Sequence, residues 1–203
     1  MDIRLVPDTP HVQVTHRLRN TGPWAVELAP WAVSMMAPGG KCIIPLPPRS
    51  QDLKDAFNLC AITLWGYTDM ADPRWTWGRQ YVMLRQDPSI TLPQKVGAAS
   101  PVGWIAYARR GRLFVVRFDY LSDAIYPDLG CCVETYADGG FLEVETLGPL
   151  VKLQPGASVE HVEHWFLFDG VHAPENDADV EESVLPRIGA TPRKACGTTG
   201  SAH

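Results

Sequence analysis

Polar and apolar residues alternate at every second position along much of this chain, and this pattern most constrains its fold. In residues 11–20, valine and leucine alternate with glutamine, threonine and arginine, as in a strand with one buried face. Strands are also predicted at residues 59–67, 80–85, 103–109, 112–120, 130–136, 141–147 and 158–169. Eighteen prolines and seventeen glycines divide the chain into short segments, which favours strands joined by turns. We therefore predict an all-β fold, an antiparallel β-sandwich.

One short helix is expected near the C-terminal end. Residues 175–188 look helical and are acidic at their start, and Asn176 or Asp177 is a suitable N-cap. Residues 191–203 contain few large apolar side chains, which is typical of a loose tail. We predict a single sandwich domain over residues 1–188 and a flexible tail over residues 189–203, because a chain of this length supports one domain with its own core.

Charge and hydropathy exclude several classes of partner. The formal net charge is −5, so nucleic acid is not an expected partner. No stretch reaches the ~18 to 20 apolar residues of a membrane helix, and the first residues lack the apolar segment of a secretory signal. The five cysteines have no CxxC spacing, so buried free thiols are expected. These features predict a cytoplasmic protein with no membrane contact.

Three glutamates are predicted to share one face of a hairpin. Asp138-Gly139 predicts a two-residue type I′ turn, which would place Glu134 directly opposite Glu143, with Cβ atoms about 5 Å apart. Glu145 would lie two residues further along on the same face. Such like-charge pairing normally destabilises a sheet.

The carboxylate face has four alternative explanations. It is solvated, or its carboxylates serve general acid–base chemistry, hydrogen bonds to sugar hydroxyls, or a divalent ion among Glu134, Glu143 and Glu145. No other cofactor and no dedicated metal site are predicted. His161 and His164 point to opposite faces of a strand, so they cannot jointly hold one zinc ion.

Alternating aromatic residues form a second candidate feature. Trp75, Trp77 and Arg79 alternate, so two indoles and a guanidinium could share a face that suits a sugar ring and a carboxylate. Alternatively, the same tryptophans fill the core between two sheets.

Several segments resemble the galactose mutarotase-like superfamily, in particular its uncharacterised DUF4380-type branch. They are FLEVETLGP at residues 141–149, LQPG at 153–156, EHW at 163–165, and shorter matches at 18–21, 75–78, 95–97, 103–104 and 126–128. The resemblance covers roughly residues 10–170. It implies a β-supersandwich with a sugar-binding concave face. Members usually carry further strands before the segment that matches residues 12–20, so some N-terminal strands are expected to be lacking, and a homodimer is favoured because a second subunit would cover the open edge.

The resemblance also implies catalytic positions. In aldose 1-epimerases a glutamate in a Glu-Thr-Gln-type motif removes the anomeric proton, and Glu145-Thr146 is the matching position. The partner histidine of these enzymes has no counterpart, because residues 29–33 read APWAV; His161 and His164 are candidate substitutes. The predicted catalytic residues are Glu145, Glu143 and His164. The predicted substrate-binding residues are Glu134, Lys95, Tyr126, Asp128, Trp75, Trp77, Arg79 and Trp104.

These observations predict binding of a small-molecule carbohydrate, a sugar or sugar acid, in a carboxylate-lined cleft. Lys95 would suit a sugar acid or a phosphate. A first alternative is a sugar-active enzyme, an aldose epimerase or mutarotase, a lyase or a hydrolase, with Glu145 as general base. A second alternative is a protein-interaction module whose acidic face meets a basic partner.

Overall fold

Antiparallel strands dominate the computed structural model, which describes residues 1–48 and 61–191. In chain order the strands are β1 (Asp2–Val6), β2 (His11–Arg19), β3 (Val26–Leu28), β4 (Trp31–Met36), β5 (Lys41–Pro45), β6 (Ile62–Leu64), β7 (Trp75–Trp77), β8 (Tyr81–Arg85), β9 (Gln94–Ala98), β10 (Trp104–Arg109), β11 (Arg112–Phe118), β12 (Val133–Ala137), β13 (Leu142–Leu147), β14 (Val151–Leu153) and β15 (Ser158–Asp169).

The strands form two packed sheets. The large sheet has eight strands in the order β1-β2-β15-β11-β10-β5-β8-β7, and the small sheet has five in the order β4-β13-β12-β9-β6. Between them, Cys42, Ile105 and Val116 of the large sheet pack with Val133 and Val144 of the small sheet. Strands β14 and β3 pair separately. The predicted all-β antiparallel sandwich is therefore confirmed.

A C-terminal helical segment covers the opposite face of the large sheet. It runs through Asp177–Asp179, Val180–Val184 and Leu185–Gly189, with a π-helical middle part. The Asn176 side chain accepts the Asp179 amide at 3.1 Å, as an N-cap does. Apolar side chains of this segment pack on the sheet, which explains why a short helix is stable here.

The domain limits at residues 1–188 and 189–203 stay a prediction. Thr191 is buried, and the rest of the predicted tail lies outside the described residues. Within the described part of the chain, no helix is long and apolar enough to cross a membrane.

The register of the β12–β13 hairpin differs from the prediction. Glu134 lies opposite Glu145, and Tyr136 lies opposite Glu143, so the predicted Glu134–Glu143 pairing is wrong. The loop has four residues because the Asp138 carboxylate accepts the amides of residues 140 and 141 at 2.7 and 3.2 Å. Neither loop glycine has the positive φ that a type I′ turn needs. The shift is two residues, so the faces stay as predicted.

Candidate functional site

The three glutamates lie on the outer face of the small sheet, which points away from the large sheet. Val133 and Val144 belong to the core between the sheets, so the alternating Glu134, Glu143 and Glu145 point outward. Although they face outward, the side chains of Glu134 and Glu145 are only 1% and 0% exposed. Other side chains must therefore cover them.

Lys95 joins the two buried carboxylates. It comes from β9, which neighbours β12, and its Nζ lies 2.8 Å from Glu134 Oε2 and 2.9 Å from Glu145 Oε2. The same ammonium lies 5.0 Å from the ring centre of Trp31 and 4.7 Å from that of Trp65. Charge-assisted hydrogen bonds and cation–π contacts therefore hold one cation between two carboxyl groups and two indoles. We call Glu134, Glu143, Glu145 and Lys95 the carboxylate cluster.

Trp31 is held at the surface of the cluster. Its Nε1 donates a 2.8 Å hydrogen bond to Glu145 Oε2, yet the residue is 58% exposed. Tyr67 is 45% exposed, and the charges of the cluster act on its hydroxyl. Two exposed aromatic side chains therefore lie beside the carboxylates, one of them with its orientation fixed.

A glycine makes room for Glu134. A Cβ at Gly97 would lie 2.6 Å from Cys131 Sγ and 3.2 Å from Glu134 Cγ. Gly97 is the direct strand partner of Glu134. The absence of a side chain at residue 97 therefore lets the cysteine and the glutamate pack against the sheet.

Burial and neighbouring charges shift the pKa values of the cluster. Burial raises the pKa of Glu134 to about 7, and the hydrogen bond and charge of Lys95 oppose this only in part. Burial, and then the charge of Glu145, raise the pKa of Glu143. Burial lowers the pKa of Lys95, but its bonds to both glutamates outweigh burial and leave it raised. Lys95 therefore stays an ammonium, while Glu134 exchanges a proton near neutral pH.

Glu134 should make stability depend on pH. Its pKa is higher in the folded chain than the ordinary 4.5, so its contribution to stability is complete below about pH 4.5 and is lost as the pH rises to about 7. In Glu134→Gln this loss cannot occur. We expect the melting temperature of the variant, relative to the wild type, to increase with pH across that window, as followed by circular dichroism.

The exposed Glu27→Gln provides a matched control for this experiment. Glu27 lies on the surface, so its variant should follow the wild-type curve at every pH. Parallel curves for Glu134→Gln and the wild type would contradict the raised pKa of Glu134.

Comparison with known proteins shows a similarity of fold. No family model matches the chain, and no curated protein matches it. The crystal structure of a proposed aldose 1-epimerase from Klebsiella pneumoniae is similar, with a TM-score of 0.53 and 13% sequence identity over 92% of this chain. The chain has the galactose mutarotase-like fold. It spans 48% of that structure's own length.

A second solved structure, that of the Slr1438 protein from Synechocystis, aligns with a TM-score of 0.44 and 10% sequence identity. The alignment covers 82% of this chain and 53% of the Slr1438 chain. Membership of the galactose mutarotase-like superfamily, and of its DUF4380-type branch, stays a prediction.

Some of the predicted site residues lie inside the mutarotase-like sandwich rather than on the carboxylate face. Trp75 is part of the core, and its Nε1 donates to Gln94 Oε1 at 3.0 Å, on the inner side of β9. The Tyr126 hydroxyl accepts the Leu121 amide at 2.9 Å within the same core. Neither residue can line a cleft on the outer face, because both are buried between the sheets.

Three further predicted residues lie in strands of the large sheet or in the turn between two of them. Trp77 donates to the Met70 carbonyl and packs on Trp75, while the backbone amide of Arg79 donates to Asp177 at the start of the helical segment. Trp104 is buried against that helical segment, on the opposite face of the large sheet. The predicted platform of Trp75, Trp77 and Arg79 beside the carboxylates is therefore wrong, as is the predicted place of Trp104 in the cleft, because the three indole rings pack in the core or against the helical segment.

His164 is also far from Glu145. Its strand neighbour Glu163 points into the core, so His164 points to the opposite face of the large sheet, where its Nδ1 lies 2.9 Å from His11 Nε2. The large sheet and the core separate His164 from the cluster, so it cannot be the partner acid of Glu145. Asp128, in contrast, is exposed near the cluster, and its charge contributes to the raised pKa of Glu134.

The aromatic residues Trp31, Trp65 and Tyr67 are not among the site residues predicted from the sequence. In β4, Trp31, Val33 and Met35 alternate with smaller residues, and this pattern could have placed Trp31 on the outer face. Nothing in the sequence around Trp65 and Tyr67 indicates that they lie beside Lys95.

A divalent ion is not supported within the cluster. The Lys95 ammonium occupies the position between Glu134 and Glu145 that such an ion would take. In the residues that the structure describes, no group of three or more histidine, cysteine or acidic side chains could hold a metal ion. The alternative of an ion among Glu134, Glu143 and Glu145 is therefore corrected to an ion pair with lysine.

A second buried polar network lies between the sheets, behind Glu145. Thr146 Oγ1 donates to Glu163 Oε1 at 2.6 Å and lies 2.7 Å from His161 Nε2. Glu163 Oε2 accepts from His16 Nε2 at 3.0 Å and from Trp165 Nε1 at 3.1 Å. Burial would raise the pKa of Glu163, but the hydrogen bonds from His16 and Thr146 outweigh burial and lower it. This network ties β13 to the large sheet at the residue that follows Glu145.

Proposed function

We propose that this chain binds a small carbohydrate on the outer face of the small sheet. The observation that carries the proposal is Trp31, a largely exposed indole whose orientation is fixed by its hydrogen bond to the buried Glu145. A sugar ring has an apolar face that packs on an indole, and its hydroxyls donate to carboxylates. The mutarotase-like fold is consistent with this proposal, since the similar structure from Klebsiella is described as a proposed aldose 1-epimerase.

The buried and the reachable carboxyl groups would have different tasks. Glu134 and Glu145 are buried and bonded to Lys95, so they form a rigid floor beneath Trp31. Glu143 is only partly buried and lies beside Glu145. Glu143 is therefore the carboxylate that would accept hydrogen bonds from ligand hydroxyls.

The charge of the cluster favours neutral or amino sugars. Three carboxyl groups surround a single ammonium, and Lys95 already donates to two of them. A sugar acid or a phosphate would add a further anion beside Glu143, which is unfavourable. Lys95 is therefore better explained as the internal counter-ion than as a binding group for a sugar acid.

Replacement of Trp31 should abolish most of the binding. We expect Trp31→Ala to weaken the binding of any recognised sugar at least about tenfold, because the stacking surface is lost. The control is Trp24→Ala, which removes another strongly exposed tryptophan. Isothermal titration calorimetry with a panel of neutral aldoses, amino sugars and sugar acids measures the affinities of the wild type and both variants. Equal affinities of Trp31→Ala and the wild type would contradict the proposal, as would a panel with no saturable binding.

A sugar-active enzyme is the second candidate. It is favoured by the pKa of Glu134, which is raised to about 7, and by the raised pKa of Glu143, since acid–base catalysis uses carboxyl groups whose pKa is shifted upward by burial and neighbouring charges. Glu145 has a fully buried side chain bonded to Lys95 and Trp31, so Glu143 is better placed than Glu145 to exchange a proton with a ligand. NMR can follow the interconversion of the anomers of the same sugars with and without the protein. Faster interconversion in its presence would favour the enzyme over a binding protein.

A further inference from the structure

Strand β1 forms one edge of the large sheet. It pairs with β2, and no other described strand pairs with it. Its apolar side chains Ile3 and Leu5 lie on one face and are 63% and 77% exposed. Asp2 and Arg4 lie on the other face, since side chains alternate along a strand. An edge strand with exposed apolar residues is a template for pairing with another strand.

The sequence of β1 is complementary to itself in one register only. In an antiparallel pair of two copies related by a twofold axis, Ile3 can lie opposite Ile3, which places Asp2 of each copy opposite Arg4 of the other. A shift of the pairing by two residues in either direction places Asp2 opposite Asp2 or Arg4 opposite Arg4, and like charges opposite each other are destabilising. A shift by one residue would put the apolar residues of one copy opposite the charged residues of the other.

We propose that two copies of this chain associate through antiparallel pairing of their β1 strands, in the register that places Ile3 opposite Ile3. The occupant of this edge is a second copy rather than an unrelated partner, because both the charged face and the apolar face of β1 match their own image. The two large sheets then become one continuous sheet with twofold symmetry. The paired strands are short, so the dimer is weak and depends on protein concentration.

The dimer does not involve the proposed sugar site. The carboxylate cluster lies on the outer face of the small sheet, whereas β1 is an edge of the large sheet. The dimer therefore does not rest on the proposed function, and the failure of one leaves the other standing.

Charge substitutions test the register. We expect the wild type to show concentration-dependent dimerisation in sedimentation velocity, and Arg4→Asp to raise the dissociation constant about tenfold, because two Asp–Asp contacts replace two Asp–Arg contacts. Adding Asp2→Arg to the same chain restores opposite charges at both contacts, so the double variant should dimerise like the wild type.

Dimerisation of the double variant would also exclude the explanation that any change of charge on β1 weakens the dimer. Asp2 contributes to a surface pair with Arg17 at 3.6 Å, but Arg17 keeps its closer partner Glu160. A monomeric wild type at all concentrations would overturn the proposal. So would a double variant as weak as Arg4→Asp.

A crosslink provides a second measurement of the same register. In chains with Cys60 and Cys196 replaced by Ser, Ile3→Cys should form an intermolecular disulfide under mild oxidation, because the two copies of residue 3 lie opposite each other. Leu5→Cys is the matched control, since the two copies of residue 5 are far apart in this register. Equal crosslinking of both variants would contradict the pairing.

Discussion

Replacing Lys95 with methionine is expected to lower the free energy of unfolding by about 3–5 kcal/mol. The substitution leaves Glu134 and Glu145 facing each other across the strands with side chains 1% and 0% exposed and no counter-ion between them. Uncompensated buried charges are costly, and the two carboxylates repel each other. Urea denaturation at neutral pH, followed by tryptophan fluorescence, measures the loss.

Two comparisons assign this loss to charge. The triple variant Lys95→Met, Glu134→Gln, Glu145→Gln should recover a large part of the stability, because it has no buried charge left to compensate. The loss of unfolding free energy in Lys95→Met should also become smaller in acid, where the carboxyl groups carry protons. A Lys95→Met protein within about 1 kcal/mol of the wild type at neutral pH would show that the ion pairs contribute no more than a surface pair.

The same substitution links stability to the proposed function. Lys95 holds Glu145, and Glu145 holds Trp31. When Lys95 is absent, the anchor of the exposed indole is less rigid, and part of the affinity that comes from a fixed stacking surface is lost. If the proposed function is right, Glu134, Glu145 and Lys95 therefore support the binding face that Trp31 forms.

The fold was predictable because its signal is local. Alternation in segments such as residues 133–137 and 142–147 shows which side chains face the core, and the structure buries Val133 and Val144 as the alternation requires. The register was not predictable, because Asp138 forms hydrogen bonds with the loop amides that the Asp-Gly rule does not include. A turn that depends on side-chain geometry changes the partner of Glu134 without changing its face.

The candidate site was only partly predictable because it combines distant segments. The sequence shows the glutamates, but the position of Lys95 between them follows from the neighbouring order of β9, β12 and β13. Tryptophans give the same alternating pattern in a core and on a binding face. Trp75 fills the core while Trp31 faces outward, and only the packing of the sheets separates these two outcomes.

Substitution of Glu163 is expected to lower the free energy of unfolding nearly as much as substitution of Lys95. It is 2% exposed and accepts hydrogen bonds from Thr146, His16 and Trp165. Glu163→Gln replaces an acceptor-only carboxylate with an amide that has two donors of its own. At least one buried donor then loses its partner, so we expect a loss of about 3 kcal/mol at neutral pH.

The pH dependence of this loss has the opposite sign to that of Glu134. The pKa of Glu163 is lowered from 4.5, so its contribution to stability is present above that pH and is lost as the pH falls through the lower pKa of the folded chain. The difference in the free energy of unfolding between Glu163→Gln and the wild type should therefore become smaller in acid. Glu160→Gln, three residues earlier on the same strand but on the exposed surface, should cost less than about 1 kcal/mol. Equal losses for the two variants in urea denaturation would show that the network between the sheets does not hold β13 in place.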